Sequence, residues 1–263
     1  MLEKMLLKAR QKTLADAQPH DGSGTWLKQP ALSPELQAVI AQCPGDWAIT
    51  PAAAGVLGQA VSHLGAQNIL EFGAGSSSVV LATALALAGG GKLTAIEQNP
   101  RWCADQWAFV QQQPQVESHM VEGQPQLGWG RLGLYFSFKQ AAKTLATRGP
   151  FDLVVVDAPQ YFFGRDGALP LVYRYLTPTA WIILDDAGRE AERWAMARWL
   201  STYPGLKLVY DHPDFGEKGL AVLRCQGRLQ PRWSPWAFVS GAKHTVATLR
   251  DPALSRLRAE QRP

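Results

Sequence analysis

Five acids and one glycine turn carry the chemistry that this sequence can do. The turn is Gly73-Ala74-Gly75, preceded by Glu71-Phe72 and followed by Ser76-Ser77-Ser78. Glycines at a strand-to-helix junction let a ligand approach bare backbone, and the serines can cap free amides or reach the ligand. Glu97 follows about twenty residues later, the spacing at which an acid at the end of a second strand hydrogen-bonds a ribose diol. Asp157, Asp185 and Asp186 close two further apolar runs. Carboxylates grouped in this way suit a hard cation such as Mg²⁺ or Ca²⁺, and one of them, Asp157, suits proton transfer. A quieter reading stays open: Asp186 as a helix cap and Asp185 paired with Arg165 or Arg189.

These residues need elements to hold them. Ile69, Leu70 and Phe72 make a short buried strand, and Val79 to Leu87 reads as a helix. Leu93 to Glu97 is a second strand, Val116 to Val121 a third, Phe151 to Asp157 a fourth and Trp181 to Asp186 a fifth. Helices are expected from Arg101 to Gln112, Ser137 to Thr147, Gly167 to Leu176 and Arg189 to Leu200. Residues 122–134 read as a loop, with Trp129 and Gly130 as a lid. Leu206 to Tyr210 and Gly219 to Cys225 are separated by too few residues for a crossover helix, so they form an antiparallel pair. The expected fold class is therefore α/β: a doubly wound, Rossmann-like sheet of seven strands with a terminal antiparallel hairpin. Ligands in such sheets bind beyond the carboxyl ends of the strands, where all five acids lie.

Glu71-Phe72-Gly73-Ala74-Gly75-Ser76-Ser77 together with Glu97 resembles the first two motifs of class I S-adenosylmethionine-dependent methyltransferases. Phe151 to Asp157 resembles their fourth-strand motif, and the likeness covers about residues 48–225. It implies S-adenosylmethionine as cofactor, held by Glu71, Gly73, Ala74, Gly75, Ser76, Ser77, Ser78, Glu97, Gln98 and Asp157, with residues around Glu122 to Gln124 beside the adenine. Asp157 with Asp185-Asp186 resembles the metal-dependent O-methyltransferases of the catechol and macrocin types. That likeness implies a divalent ion on these three residues and a small-molecule hydroxyl as methyl acceptor, with Asp157 as base where no metal is bound. Ala158-Pro159 departs from the catechol pattern, in which another Asp and a Lys follow. A metal-independent N- or S-methyltransferase remains an alternative. So do an NAD-dependent oxidoreductase, which Ser78 in the third glycine position disfavours, and a non-catalytic cofactor-binding scaffold.

The 263 residues are 46% apolar and 18% charged, which suits one large domain with extensions. The expected organisation is an N-terminal helical extension over residues 1–47, the methyltransferase domain over 48–225 and a basic C-terminal extension over 226–263. Residues 1–18 read as an amphipathic helix, and Ser33-Pro34 and Thr50-Pro51 as helix starts. Arg224 to Pro263 holds eight Lys or Arg against two Asp or Glu, so it carries +6 of a chain whose net charge is +4. No nucleic-acid motif, signal peptide or transmembrane segment is legible, and three widely spaced cysteines suggest reduced thiols. The chain is expected to be cytoplasmic, with a homodimer as its expected assembly, as in many relatives of the resembled families.

Overall fold

Two apolar layers sandwich a central sheet, and the strand sequences alternate between them. On the first strand, β1 (Asn68–Phe72), Leu70 and Phe72 join one core and Ile69 the other. Such a strand is apolar throughout because both of its faces are covered. The computed structural model describes residues 1–18, 25–27, 32–43, 48–215 and 218–251. Most of the linker at 19–31, Trp47 and the end of the chain from residue 252 lie outside the described residues.

Before β1 come α1 (Leu2–Asp16), α2 (Pro34–Ile40) and α3 (Pro51–Leu64). Both expected helix starts are present. The Leu36 amide donates to Ser33 Oγ at 3.3 Å, and the Ala53 amide to Thr50 Oγ1 at 3.2 Å. Each such cap contributes about 1 kcal/mol. After β1 the chain runs through α4 (Ser76–Leu87), β2 (Gly91–Glu97), α5 (Ala104–Gln111) and β3 (Val116–Glu122). Next come β4 (Gln126–Gly130), β5 (Gly133–Ser137), α6 (Ala142–Arg148), β6 (Phe151–Val156), α7 (Ala168–Val172) and β7 (Leu176–Asp185). The chain continues with α8 (Glu190–Thr202), β8 (Leu206–His212), β9 (Leu220–Cys225) and α9 (Pro235–Leu249).

Seven strands form one sheet in the order β3-β2-β1-β6-β7-β9-β8. The first five are parallel, and β9 runs antiparallel to both β7 and β8. The doubly wound sheet with its terminal antiparallel pair is thus as expected. Phe72 lies level with Ile96 on one side and Val156 on the other, and Val156 lies level with Leu184. The strands that carry the five acids therefore finish at one edge, on either side of the topological switch at β1.

Two elements differ from the sequence reading. Residues 126–137 are a hairpin, β4–β5, where the sequence suggests a loop and a lid. Gly128 and Gly130 hide the alternation, because the Tyr135 ring lies where their side chains would be. Trp129 packs against Phe238 of α9, with ring centroids 5.0 Å apart. The second is α9 itself, which occupies the segment read as a basic extension. It lies on the hairpin so closely that a Cβ on Gly241 would stand 1.9 Å from the Leu132 carbonyl oxygen. Thr245 Oγ1 also donates to the Leu134 carbonyl at 2.7 Å. The Gly241→Ala substitution should therefore lower stability by about 2 kcal/mol or more, read as a lower denaturation midpoint. An unchanged midpoint would mean that α9 does not pack on the hairpin.

Candidate active site

The turn after β1 is built by its own acids. Glu97 ends β2 and is nearly buried, and each of its oxygens accepts a main-chain amide: Ala74 N–H at 2.9 Å and Asn99 N–H at 2.8 Å. It thus ties the glycine turn to β2 and still has lone pairs free. Glu71 is fully buried. The Ser78 hydroxyl donates to Glu71 Oε2 and accepts the Gly75 amide at 3.0 Å. Ser76 Oγ accepts the Ile49 amide at 2.8 Å and so joins the turn to the segment before α3. Glu71, Ser76 and Ser78 therefore shape the turn from behind or beside it.

The two glycines differ. Gly73 has φ +93, and a Cβ there would press on Ala158 Cβ at 3.1 Å. Gly75 is extended, and a Cβ on it would meet nothing within 4 Å. Bare backbone at Gly75 thus faces open space beside Glu97. Gln98 Oε1 accepts the Gln160 amide at 3.1 Å, while Gln124 Nε2 donates to the Gln98 carbonyl at 2.7 Å. Gln98 so clamps the loops that follow β3 and β6 around the same space. Phe162 and Phe163 lie on the second of these loops, packed on each other, and Phe163 packs on Phe136.

Across the switch point, Asp157, Asp185 and Asp186 each offer a carboxylate oxygen, all within 4.8 Å of one another. Beneath them lies Arg165, only 2% exposed. Its NH2 bonds Asp157 Oδ1 and Asp186 Oδ2, both at 2.7 Å, and its NH1 bonds the Asp185 main-chain carbonyl. Arg189 adds a second cation at 2.8 Å from Asp186 Oδ2. Behind Arg165, fully buried Glu192 stands 3.7 Å from its Nε. Asp186 takes φ 54, a left-handed conformation that aspartate tolerates better than most residues. The sequence reading weighs Arg165 only as a partner of Asp185. The guanidinium instead holds the side chains on either side of it, and nothing in residue spacing marks that pairing or Glu192.

Each of the three aspartates offers one carboxylate oxygen to a cation, and Asp186 Oδ1 is buried with no partner. This donor set fits a hard divalent ion. The surrounding protein and the adjacent Asp185 and Asp186 push the Asp157 carboxyl upward against the pull of Arg165, although its side chain is 42% exposed. Burial pushes Glu71 up to about 8, opposed by the Ser77 and Ser78 hydroxyls and reinforced by Asp157 and Glu97.

Residues 70–187 match the model of a family described as a methyltransferase domain. That segment is a methyltransferase domain. It begins inside β1 and ends just past Asp186, so it contains the glycine turn, Glu97, Asp157, Arg165 and the aspartate pair. No curated protein matches the chain. Among solved structures, the methyltransferase domain and its flanks are similar to TomG, an O-methyltransferase from Streptomyces achromogenes involved in tomaymycin synthesis and solved with S-adenosylmethionine. Identity there is 19%, coverage 77% of this chain and 94% of TomG, and the TM-score 0.51. An O-methyltransferase from Bacillus cereus, solved with S-adenosylhomocysteine, is 18% identical over 86% of this chain and all of its own, with a TM-score of 0.50. At these identities the shared property is the fold, that of class I methyltransferases.

Two outcomes test this geometry. Folded Glu71 keeps its proton from about pH 4.5 to about pH 8, whereas the unfolded carboxyl loses it near 4.5. Folding thus binds a proton in that window, and stability falls as pH rises through it. The Glu71→Gln variant should show a shallower fall in denaturation midpoint between pH 5 and pH 8; a slope equal to the wild type would contradict the burial of an acid there. Arg165→Gln removes the shared partner of two acids and should cost about 3–5 kcal/mol. Equilibrium denaturation measures it, and a loss under about 1 kcal/mol would mean that the acids do not depend on Arg165.

Proposed function

We propose that this chain transfers a methyl group from S-adenosylmethionine to a hydroxyl of a small molecule. The observation that carries the reading is the open space in front of the Gly75 backbone, bordered by Glu97 on one side and by the Asp157 strand end on the other. Bound there, the sulfonium supplies an already activated methyl group. Gly73 to Gly75 present backbone to the methionine part, and Glu97 holds the ribose hydroxyls with the lone pairs that Ala74 and Asn99 leave free. Gln98 and the loop at Glu122 to Gln124 border the adenine. In the transfer the acceptor oxygen forms a bond to the methyl carbon as the carbon–sulfur bond breaks, and the hydroxyl proton goes to Asp157 where no metal is bound and to water where one is. Most of the acceleration then comes from alignment and from that one proton transfer.

Asp157, Asp185 and Asp186 would hold a divalent ion, which would lower the pKa of the acceptor hydroxyl and fix its direction. Phe162 and Phe163 supply an apolar wall for a planar acceptor. A second reading, metal-free transfer to nitrogen or sulfur, is favoured by one observation: Arg165 already gives Asp157 and Asp186 a positive partner.

Labelled S-adenosylmethionine with a panel of polyphenols, amines and thiols separates the two. The expected result is label on a hydroxyl, lost with EDTA and restored by Mg²⁺. Transfer to amines or thiols that EDTA leaves unchanged would support the second reading and overturn the first. In the same assay Asp185→Ala with Asp186→Ala should abolish transfer to hydroxyls and leave cofactor binding intact. Gly75→Val, whose side chain would fill the open space, should abolish cofactor binding in a folded protein.

A further inference from the structure

Helix α9 is built inside out. Its buried side carries small and weakly polar residues, Ala237, Ser240, Gly241, Thr245 and Thr248. Its outer side carries Val239, Ala242, Val246 and Leu249, at helical positions i, i+3, i+7 and i+10, and the three larger ones are exposed. A surface helix ordinarily shows the opposite pattern. The apolar exposure extends to neighbouring elements. Trp129 on the hairpin and Trp233 before α9 are 66% and 53% exposed, and both pack on Phe238 of α9. Beside α9 lies α1, joined by the Lys243–Glu3 ion pair, with Leu2 and Met5 exposed at its start. Among the described residues, nine of the twelve exposed large apolar side chains belong to α1, the hairpin, α9 or the turn before α9. Exposure gathered on elements that contact one another in this way marks an interaction surface.

Charge selects the occupant. Lys4, Lys8 and Lys12 are exposed at one-turn spacing along α1, and Arg131, Arg232 and Arg250 are exposed around the hairpin and α9. The acids on the same elements are Glu3, which is paired with Lys243, together with Asp16 and Asp251. A second copy of the chain would set this basic surface against itself. An anionic bilayer offers what the surface lacks: phosphate charge for the lysines and arginines, an interfacial layer for the tryptophans, and apolar depth for the α9 stripe. We propose that the protein docks peripherally on an anionic phospholipid surface through α9, the β4–β5 hairpin and α1.

The test is sedimentation of the full chain with vesicles of phosphatidylcholine and phosphatidylglycerol, or of phosphatidylcholine alone, without cofactor. The expected result is binding to the anionic vesicles that falls steeply with salt, and little binding to the neutral ones. Replacing Lys4, Lys8 and Lys12 by Ser should weaken binding roughly hundredfold. Val246→Glu with Leu249→Glu should abolish it at an unchanged circular dichroism spectrum, since both side chains are at the surface. Absence of binding to anionic vesicles at low salt would overturn the proposal. So would equal binding to neutral vesicles, or a dimer in light scattering that the Val246→Glu, Leu249→Glu variant dissociates. None of these readouts depends on methyl transfer.

Discussion

Arg165 carries a guanidinium into the interior at the point where two parallel strands end in acids. Asp157 follows β6 and Asp185-Asp186 ends β7, and the register of the two strands leaves these carboxylates no room to separate. Unpaired, they would repel one another and take up protons. Arg165 resolves part of the conflict by bonding Asp157 and Asp186 at equal distance, and Arg189 and Glu192 complete the charge pattern around it. The pairing uses one side-chain oxygen each of Asp157 and Asp186 and leaves the second oxygen of Asp186 buried without a partner. Charge balance within the protein and capacity to act on a ligand therefore come from the same geometry.

The other wall is held by different means. Glu97 and Ser78 fix the glycine turn by accepting its amides, which keeps Gly75 extended and its front open. A Cβ on Gly73 would stand 3.1 Å from Ala158 Cβ, so the turn after β1 lies close against the strand end of β6. A ligand entering at Gly75 thus lies between Glu97 and a cluster of aspartates. Each part is rigid because buried strands on both sides of β1 support it.

Legibility followed burial. The runs in β1, β2 and β6 are apolar because both faces of the sheet are covered, so they stand out in the sequence, and so do the acids that end them. The β4–β5 hairpin did not, because Gly128 and Gly130 yield their places to the Tyr135 ring and remove the alternation that marks a strand. Helix α9 is hidden in the sequence for the reverse reason. Its contact face is small and polar, and the arginines around it drew the segment toward a solvated extension. Within the site, the glycine turn and the aspartates were visible from residue type and spacing. Arg165 was visible only as one basic residue among several, because its role depends on a loop that folds back beneath the strand ends.

The most direct test of the account is calorimetric titration of S-adenosylmethionine, S-adenosylhomocysteine and NAD into the purified full-length chain. The account predicts saturable binding of both sulfur nucleosides at one site, with no heat from NAD. Binding of NAD alone would contradict it, because the crevice at Gly75 and Glu97 would then serve a dinucleotide and the three aspartates would have no methyl acceptor to direct.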